Sequence, residues 1–280
     1  MTDSKTEYLH TRKEYSIVLG EAWRLGTVMS GMTGLSSRHW HGAQMFKKLA
    51  AHSQTLATIT PSDRPGQEFW DYSSMCAITR CLIEAFYAFQ YLGASTVSED
   101  DWRERKALYD YHGYLRKVQS AQEMGFETPE RLKTSLDRAR DEMSRVCTQR
   151  GYSAREISDR LKKPQAFLVS DSKQGEALGL QAAWVRTMRD YLSWFVHSLP
   201  ASIHELAYFE AASSSAYDSV KILLITASGY LGRANADFVE LFPQFKAGAI
   251  DGSREVGLFF WEGLRGLGPD ALQMPPTPRA

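Results

Sequence analysis

Between residues 72 and 92 the chain is apolar or small at nearly every position and carries only two charged side chains, Arg80 and Glu84. A helix that is apolar on all sides belongs at the centre of a helical protein, covered by other helices. At 3.6 residues per turn, positions 80 and 84 stack on one face. Two opposite charges in a buried setting must be paired, and their remaining donors and acceptors need partners as well. This requirement directs the search to whatever polar surface the rest of the chain can offer.

Residues 184–199, WVRTMRDYLSWFVHSL, offer the best match. Arg186, Asp190, Ser193 and His197 recur at spacings of four, three and four, which draws one polar stripe along a helix. Trp184, Met188, Tyr191, Leu192 and Phe195 form the other side. We expect the stripe to face Arg80 and Glu84 across a helix interface; the plainer alternative is a solvated face. Tyr191 and Tyr87 bring hydroxyls that need partners if buried, and both could join the same network. Arg80, Glu84, Tyr191, Asp190 and Ser193 are therefore the expected ligand-binding set, or else a structural polar centre.

The remaining segments read as helices. Tyr15, Val18, Leu19, Ala22, Trp23 and Leu25 follow a helical period that gives way to a Gly/Ser/Thr-rich loop over 26–37. Trp40, Met45, Phe46, Leu49, Leu56 and Ile59 mark a second helix that stops before Pro61, and residues 60–66 are a connection. Ser98, with Asp101 three residues on, starts a helix over about 99–124. Thr128-Pro129 starts another that ends at Gly151, so 99–150 forms a peripheral helical hairpin. A short helix opens at Ser153, residues 164–175 form a loop, and the striped helix spans 176–198. A long helix from 213 to about 242 turns Val220, Leu223, Leu224, Ala227, Leu231 and Phe238 inward. No alternating pattern strong enough for a sheet appears. The fold class is thus all-α, a single helical bundle of about six to eight helices. Residues 1–242 form the bundle domain, and 243–280 a short irregular or helical segment with a flexible, proline-rich end.

Several functions are disfavoured by what the chain contains. Thirty-three basic and thirty-three acidic side chains cancel, which argues against a dedicated duplex-DNA binder. There is no phosphate-binding glycine loop, no paired Glu-x-x-His for a di-iron centre and no G-x-S-x-G nucleophile elbow. His39 and His41 sit two residues apart, on different faces of a helix. We expect no cofactor or metal. Cys76, Cys81 and Cys147 form no framework, and the first sixteen residues lack the apolar core of a signal peptide. With no run of about 18 apolar residues, a cytoplasmic chain that neither spans nor binds a membrane is expected.

The segments RCLIEAFYAFQYL (80–92) and RDYLSWFVHSLP (189–200) resemble uncharacterised bacterial helical families. Those families are distantly similar to the HEPN superfamily of helical bundles, many of whose members are dimeric, metal-independent RNases in defence or toxin–antitoxin systems. The resemblance covers about 35 residues. It implies a homodimer acting on RNA, with His197 as acid/base and Arg189 or Arg186 steadying the phosphate. HEPN nucleases separate that Arg and His by four to six residues, whereas seven lie between Arg189 and His197 here. Three readings follow: a helical protein binding a small polar ligand or partner, an RNase of HEPN type, and an interaction scaffold using the charged hairpin.

Overall fold

The computed structural model describes residues 3–62, 70–207 and 209–268. Among these residues there are helices and no strands, in keeping with the all-α expectation, but the α-helices number eleven rather than six to eight. The C-terminal proline-rich end and most of the 60–66 connection lie outside the described residues. Where the sequence suggests one bundle domain with a peripheral hairpin, the chain divides into two compact units, residues 1–94 with 171–280, and residues 95–170.

In the larger unit, α1 (Ser4–Val28) is far longer than the short helix expected. Asp3 caps it by accepting from the Thr6 amide, and Tyr8, Tyr15, Val18, Ala22 and Leu25 are wholly buried along one stripe. Trp23 belongs to no such stripe and is 49% exposed. α2 (Ser37–Ile59) starts at Ser36 and buries Phe46, Leu49 and Leu56. The apolar segment forms α3 (Tyr72–Phe89), which continues into a wide π-helical turn, Gln90–Ala94. It packs on α2 and on two later helices, α8 (Ala182–Val196) and α10 (Ser214–Leu241). α10 is the second axis of the unit and also lies against α1, α2 and α11 (Ser253–Arg265). All six residues expected to face inward from α10 are fully buried.

The larger helix count has local causes. The helix expected over 176–198 is broken into α7 (Asp171–Ala177) and α8 by Gly179, whose φ of +86° lies in the left-handed region. Pro200 ends the striped segment and also begins α9 (Pro200–Ala207), since proline suits the first turn of a helix. The segment after Pro243, expected to be irregular or helical, contains both kinds of structure. It returns as α11, which buries Phe260, Trp261 and Leu264.

The smaller unit contains α4 (Glu99–Glu123), α5 (Glu130–Gln149) and α6 (Ala154–Lys162). Ser98 caps α4, and Ser153 with Glu156 makes a full capping box on α6. Leu108, Tyr111, Met143, Val146 and Cys147 form a separate apolar core. Glu104 is buried and accepts from Arg150, Arg160 and the Tyr152 hydroxyl at 3.2, 3.2 and 2.9 Å. A buried carboxylate needs that degree of pairing.

Candidate functional site

Arg80 and Glu84 pair as the helical spacing requires, with Arg80 Nε donating to Glu84 Oε1 at 3.0 Å. They are not sealed inside. The Arg80 side chain is 21% exposed and that of Glu84 is 55% exposed, so the pair sits at the edge of the helix interface. Arg80 also reaches α8, where Nη1 donates to Ser193 Oγ at 2.7 Å. That hydroxyl in turn donates to the Arg189 carbonyl at 2.7 Å.

The rest of the stripe does not follow Ser193 toward α3. Arg186, Asp190 and His197 are exposed. His197 is the C-terminal cap of α8, its amide donating to the Ser193 carbonyl at 3.0 Å, and the next residue, Ser198, adopts a φ of +49° as the chain turns away. Arg189 turns to Asp171 at the start of α7, at 3.5 Å. Burial raises the Asp171 carboxyl above the usual carboxylate range, and Arg189 pulls it partly back.

The tyrosines do not join this network either. The Tyr191 hydroxyl pairs with that of Tyr72 at 2.7 Å, and Tyr87 pairs with Tyr230 at 3.2 Å. Burial pushes all four phenols up, so they remain neutral donors and acceptors. Between Arg80, Glu84, Tyr87, Asp171 and Arg189 lies a recess of about 20 Å³. That is room for roughly one water molecule. The polar centre therefore consists of groups that satisfy one another.

A larger concavity lies where sequence reasoning expects only a short irregular or helical segment and names no site. It has a volume of about 560 Å³. Gly232, Asn235, Ala236, Val239 and Glu240 line it along one face of α10, at the spacing of successive turns. The chain from Pro243 to the first turn of α11 forms the opposite wall. The cleft lies beside an unusually close crossing: a Cβ on Gly232 would stand 2.3 Å from the Cα of Gly257, so α10 and α11 touch backbone to backbone there.

Buried charges hold the loop wall in place. Glu21 of α1, 5% exposed, accepts from Arg24 Nε and Nη2 at 2.8 and 2.6 Å and from the Ile250 amide at 3.0 Å. Arg24 in turn donates to the Phe245 carbonyl at 3.0 Å. Asn235 is 6% exposed, and its Nδ2 donates to the Val18 carbonyl at 2.9 Å. This fixes the amide orientation and leaves the buried Oδ1 without a hydrogen-bond partner. Glu240, Lys246, Asp251, Arg254 and Glu255 are exposed charges around the cleft. The letters hold a signal for this site in Gly232 and Gly257, since small residues let helices approach closely, but nothing local pairs two glycines that far apart in the chain.

His39 and His41 diverge as their spacing demands. His39 Nδ1 shares a hydrogen bond with Ser36 Oγ, and buried His41 shares one with the Ser37 carbonyl. Among the described residues no group of three or more His, Cys, Asp or Glu is placed to hold a metal ion, and no helix is long and apolar enough to cross a membrane. Comparison with protein-family models, with curated protein sequences and with solved structures finds no match.

Proposed function

We propose that this chain is a helical protein that binds a small polar molecule, and that the ligand occupies the cleft between α10 and the start of α11. The observation that carries the reading is a concavity of about 560 Å³ with apolar residues of α10 on one wall and charged side chains around it. Small-molecule sites occupy roughly 300–1,000 Å³ and combine apolar walls with a few fixed polar groups. Ala236 and Val239 are such walls, and Glu240, Lys246, Asp251 and Arg254 bring polar groups around them. The polar centre on α3 and α8 then serves to clasp two helices. Three unpaired cysteines, two of them buried, support a reducing compartment, and we place the protein in the cytoplasm.

The test is a thermal-shift screen of polar metabolites against the full chain and against Ala236→Trp, which fills the cleft. A ligand at about 100 times its Kd should stabilise the chain by about 2.7 kcal/mol, and the variant should not respond. Absence of any hit, or equal shifts in both proteins, would remove the reading.

A second reading is the RNase implied by the HEPN resemblance. It is supported by His197, Arg186 and Arg189 being exposed on or just after α8, within reach of a polynucleotide. Cleavage of cellular RNA without added metal, lost in His197→Ala, is its expected signature. Intact RNA after incubation with the homodimer would dismiss it.

A further inference from the structure

From Ala22 to Ser62 the chain contains no Asp or Glu, although thirty-three of its 280 residues are acidic. Most of that stretch is α2, whose Arg38, Lys47 and Lys48 have no acid on the same helix to balance them. At 3.6 residues per turn Trp40, Gln44, Lys47, Ala51, Gln54 and Thr58 fall within about 40° of one line along the helix. All six are exposed, as are Lys48 and Thr55 beside them. The stripe is about 27 Å long.

α1 adds an aromatic along one edge. Trp23 is 49% exposed, and its Nε1 donates to Gln54 Oε1 at 2.9 Å, which ties the indole to α2. Gln54 Nε2 donates in turn to Thr58 Oγ1 at 3.4 Å. Trp40, 51% exposed, stands edge-on to the His41 ring at 4.9 Å. Two indoles are thus half open to solvent and braced by their neighbours. The acids of α1 point elsewhere. Glu7 meets Lys221 of α10 at 2.6 Å, Glu21 holds the Ile250 amide, and Glu14, about two and a half turns before Trp23, lies on the opposite face. Beyond the other edge of α2, Glu84 lies near His52 and is engaged by Arg80. Neither Lys47 nor Lys48 forms an ion pair among the described residues.

Lysines alone would attract any polyanion. Indole faces select among polyanions, because bases stack on them while lysines neutralise the phosphates, and single strands are held by that combination. A duplex keeps its base faces covered and gains nothing from the indoles. Gln44, Gln54, Thr55 and Thr58 supply amides and hydroxyls, which exchange hydrogen bonds with a ribose 2′-hydroxyl. We infer that the outer face of α2, with Trp23, is a docking surface for single-stranded RNA. Bases stack on Trp23 and Trp40, and phosphates lie along Lys47 and Lys48. Binding here requires nothing of His197 or of the cleft beside α11.

Fluorescence anisotropy of a labelled oligouridylate with the full chain tests this. Affinity should fall about sevenfold between 50 and 200 mM salt, as expected when about two phosphates of a single strand are neutralised. Trp40→Ala should weaken binding about tenfold, the share of one stacked base. Ala51→Glu places an acid in the middle of the stripe at an exposed helical position and should also weaken it, so a Trp40 variant that fails to fold does not decide the matter. His197→Ala should bind as the wild type does. No binding at 50 mM salt, unchanged binding by Ala51→Glu, or loss of binding in His197→Ala overturns the assignment. So does inorganic polyphosphate of equal charge competing as well as the RNA, which would leave only an anion patch. Equal affinity for the matched oligodeoxyuridylate would remove the part given to the ribose and with it the choice of RNA.

Discussion

Replacing Gly232 by alanine should destabilise the larger unit, although the same change in most helices is stabilising. The added Cβ would lie 2.3 Å from the Cα of Gly257, 2.7 Å from its carbonyl carbon and 2.8 Å from its oxygen. Carbon atoms prefer about 3.5–4.0 Å, so α11 would have to withdraw by more than about 1 Å. The obstructing atoms are backbone and cannot rotate aside. Withdrawal also loosens the packing of Phe260, Trp261 and Leu264, all buried against this part of the fold. Overpacking of this sort costs about 1–3 kcal/mol and sometimes more, while alanine regains about 1 kcal/mol of helix preference. With rigid atoms in the way the upper end applies, and a net loss of about 2 kcal/mol is expected. Gly263→Ala provides the control on α11, the helix that Gly232 meets, because a Cβ there meets nothing within 4 Å. It should gain about 0.5–1 kcal/mol. Urea unfolding of the two variants beside the wild type reads both numbers. Shifts of the same sign, or a Gly232 variant within about 0.5 kcal/mol of wild type, would mean that the helices do not meet at this glycine pair.

Other perturbations follow from the same geometry. Glu84→Ala should change the urea midpoint by no more than a few tenths of a kcal/mol, because an exposed pair at helical spacing contributes little. Ser193→Ala should cost about 1 kcal/mol by removing the hydrogen bond that ties Arg80 to α8; a larger loss for Glu84 than for Ser193 would reverse this ranking. Glu104→Ala should cost about 3 kcal/mol in the smaller unit, since it strips a buried carboxylate from Arg150 and Arg160, and an unchanged unfolding curve would contradict its role. His52 has a pKa lowered from 6.5 chiefly by burial, helped by Lys48, and its Nε2 is buried without a partner. Because the folded pKa lies below the unfolded one, the unfolded chain takes up the proton first as pH falls below about 6.5, and stability drops through that window. His52→Gln should flatten that slope, and an NMR titration giving His52 a pKa at or above 6.5 would refute the sign.

How far the letters reached depended on whether a signal was local. The bounds of α10 could be read because Ser213 caps one end, Pro243 closes the other, and an unbroken apolar period lies between. The starts of α4 and α6 were legible for the same reason, in the side chains of Ser98 and Ser153. The pairing of Arg80 with Glu84 follows from spacing alone, but their exposure does not, since it depends on how much of α3 the packing of α8 leaves uncovered. Ser193 meets Arg80, whereas Arg186, Asp190 and His197 on the same stripe do not, because a stripe of that length outruns the contact with one crossing helix. The cleft was least legible. Its two walls, one face of α10 and the chain leading into α11, come together beside the meeting of two glycines twenty-five positions apart.

The division of the chain bears on how it emerges from synthesis. The smaller unit is continuous, residues 95–170, and can close on its own contacts as soon as it is made. The larger is split around it, and α1 waits for α10, about two hundred positions downstream, to cover its buried stripe. At roughly 5–20 residues per second that wait is on the order of ten seconds or more. During it the faces of α1, α2 and α3 destined for the core stand open to water and to neighbouring chains. The unit that carries the cleft is thus the last to be finished and the one most dependent on protection while it is born.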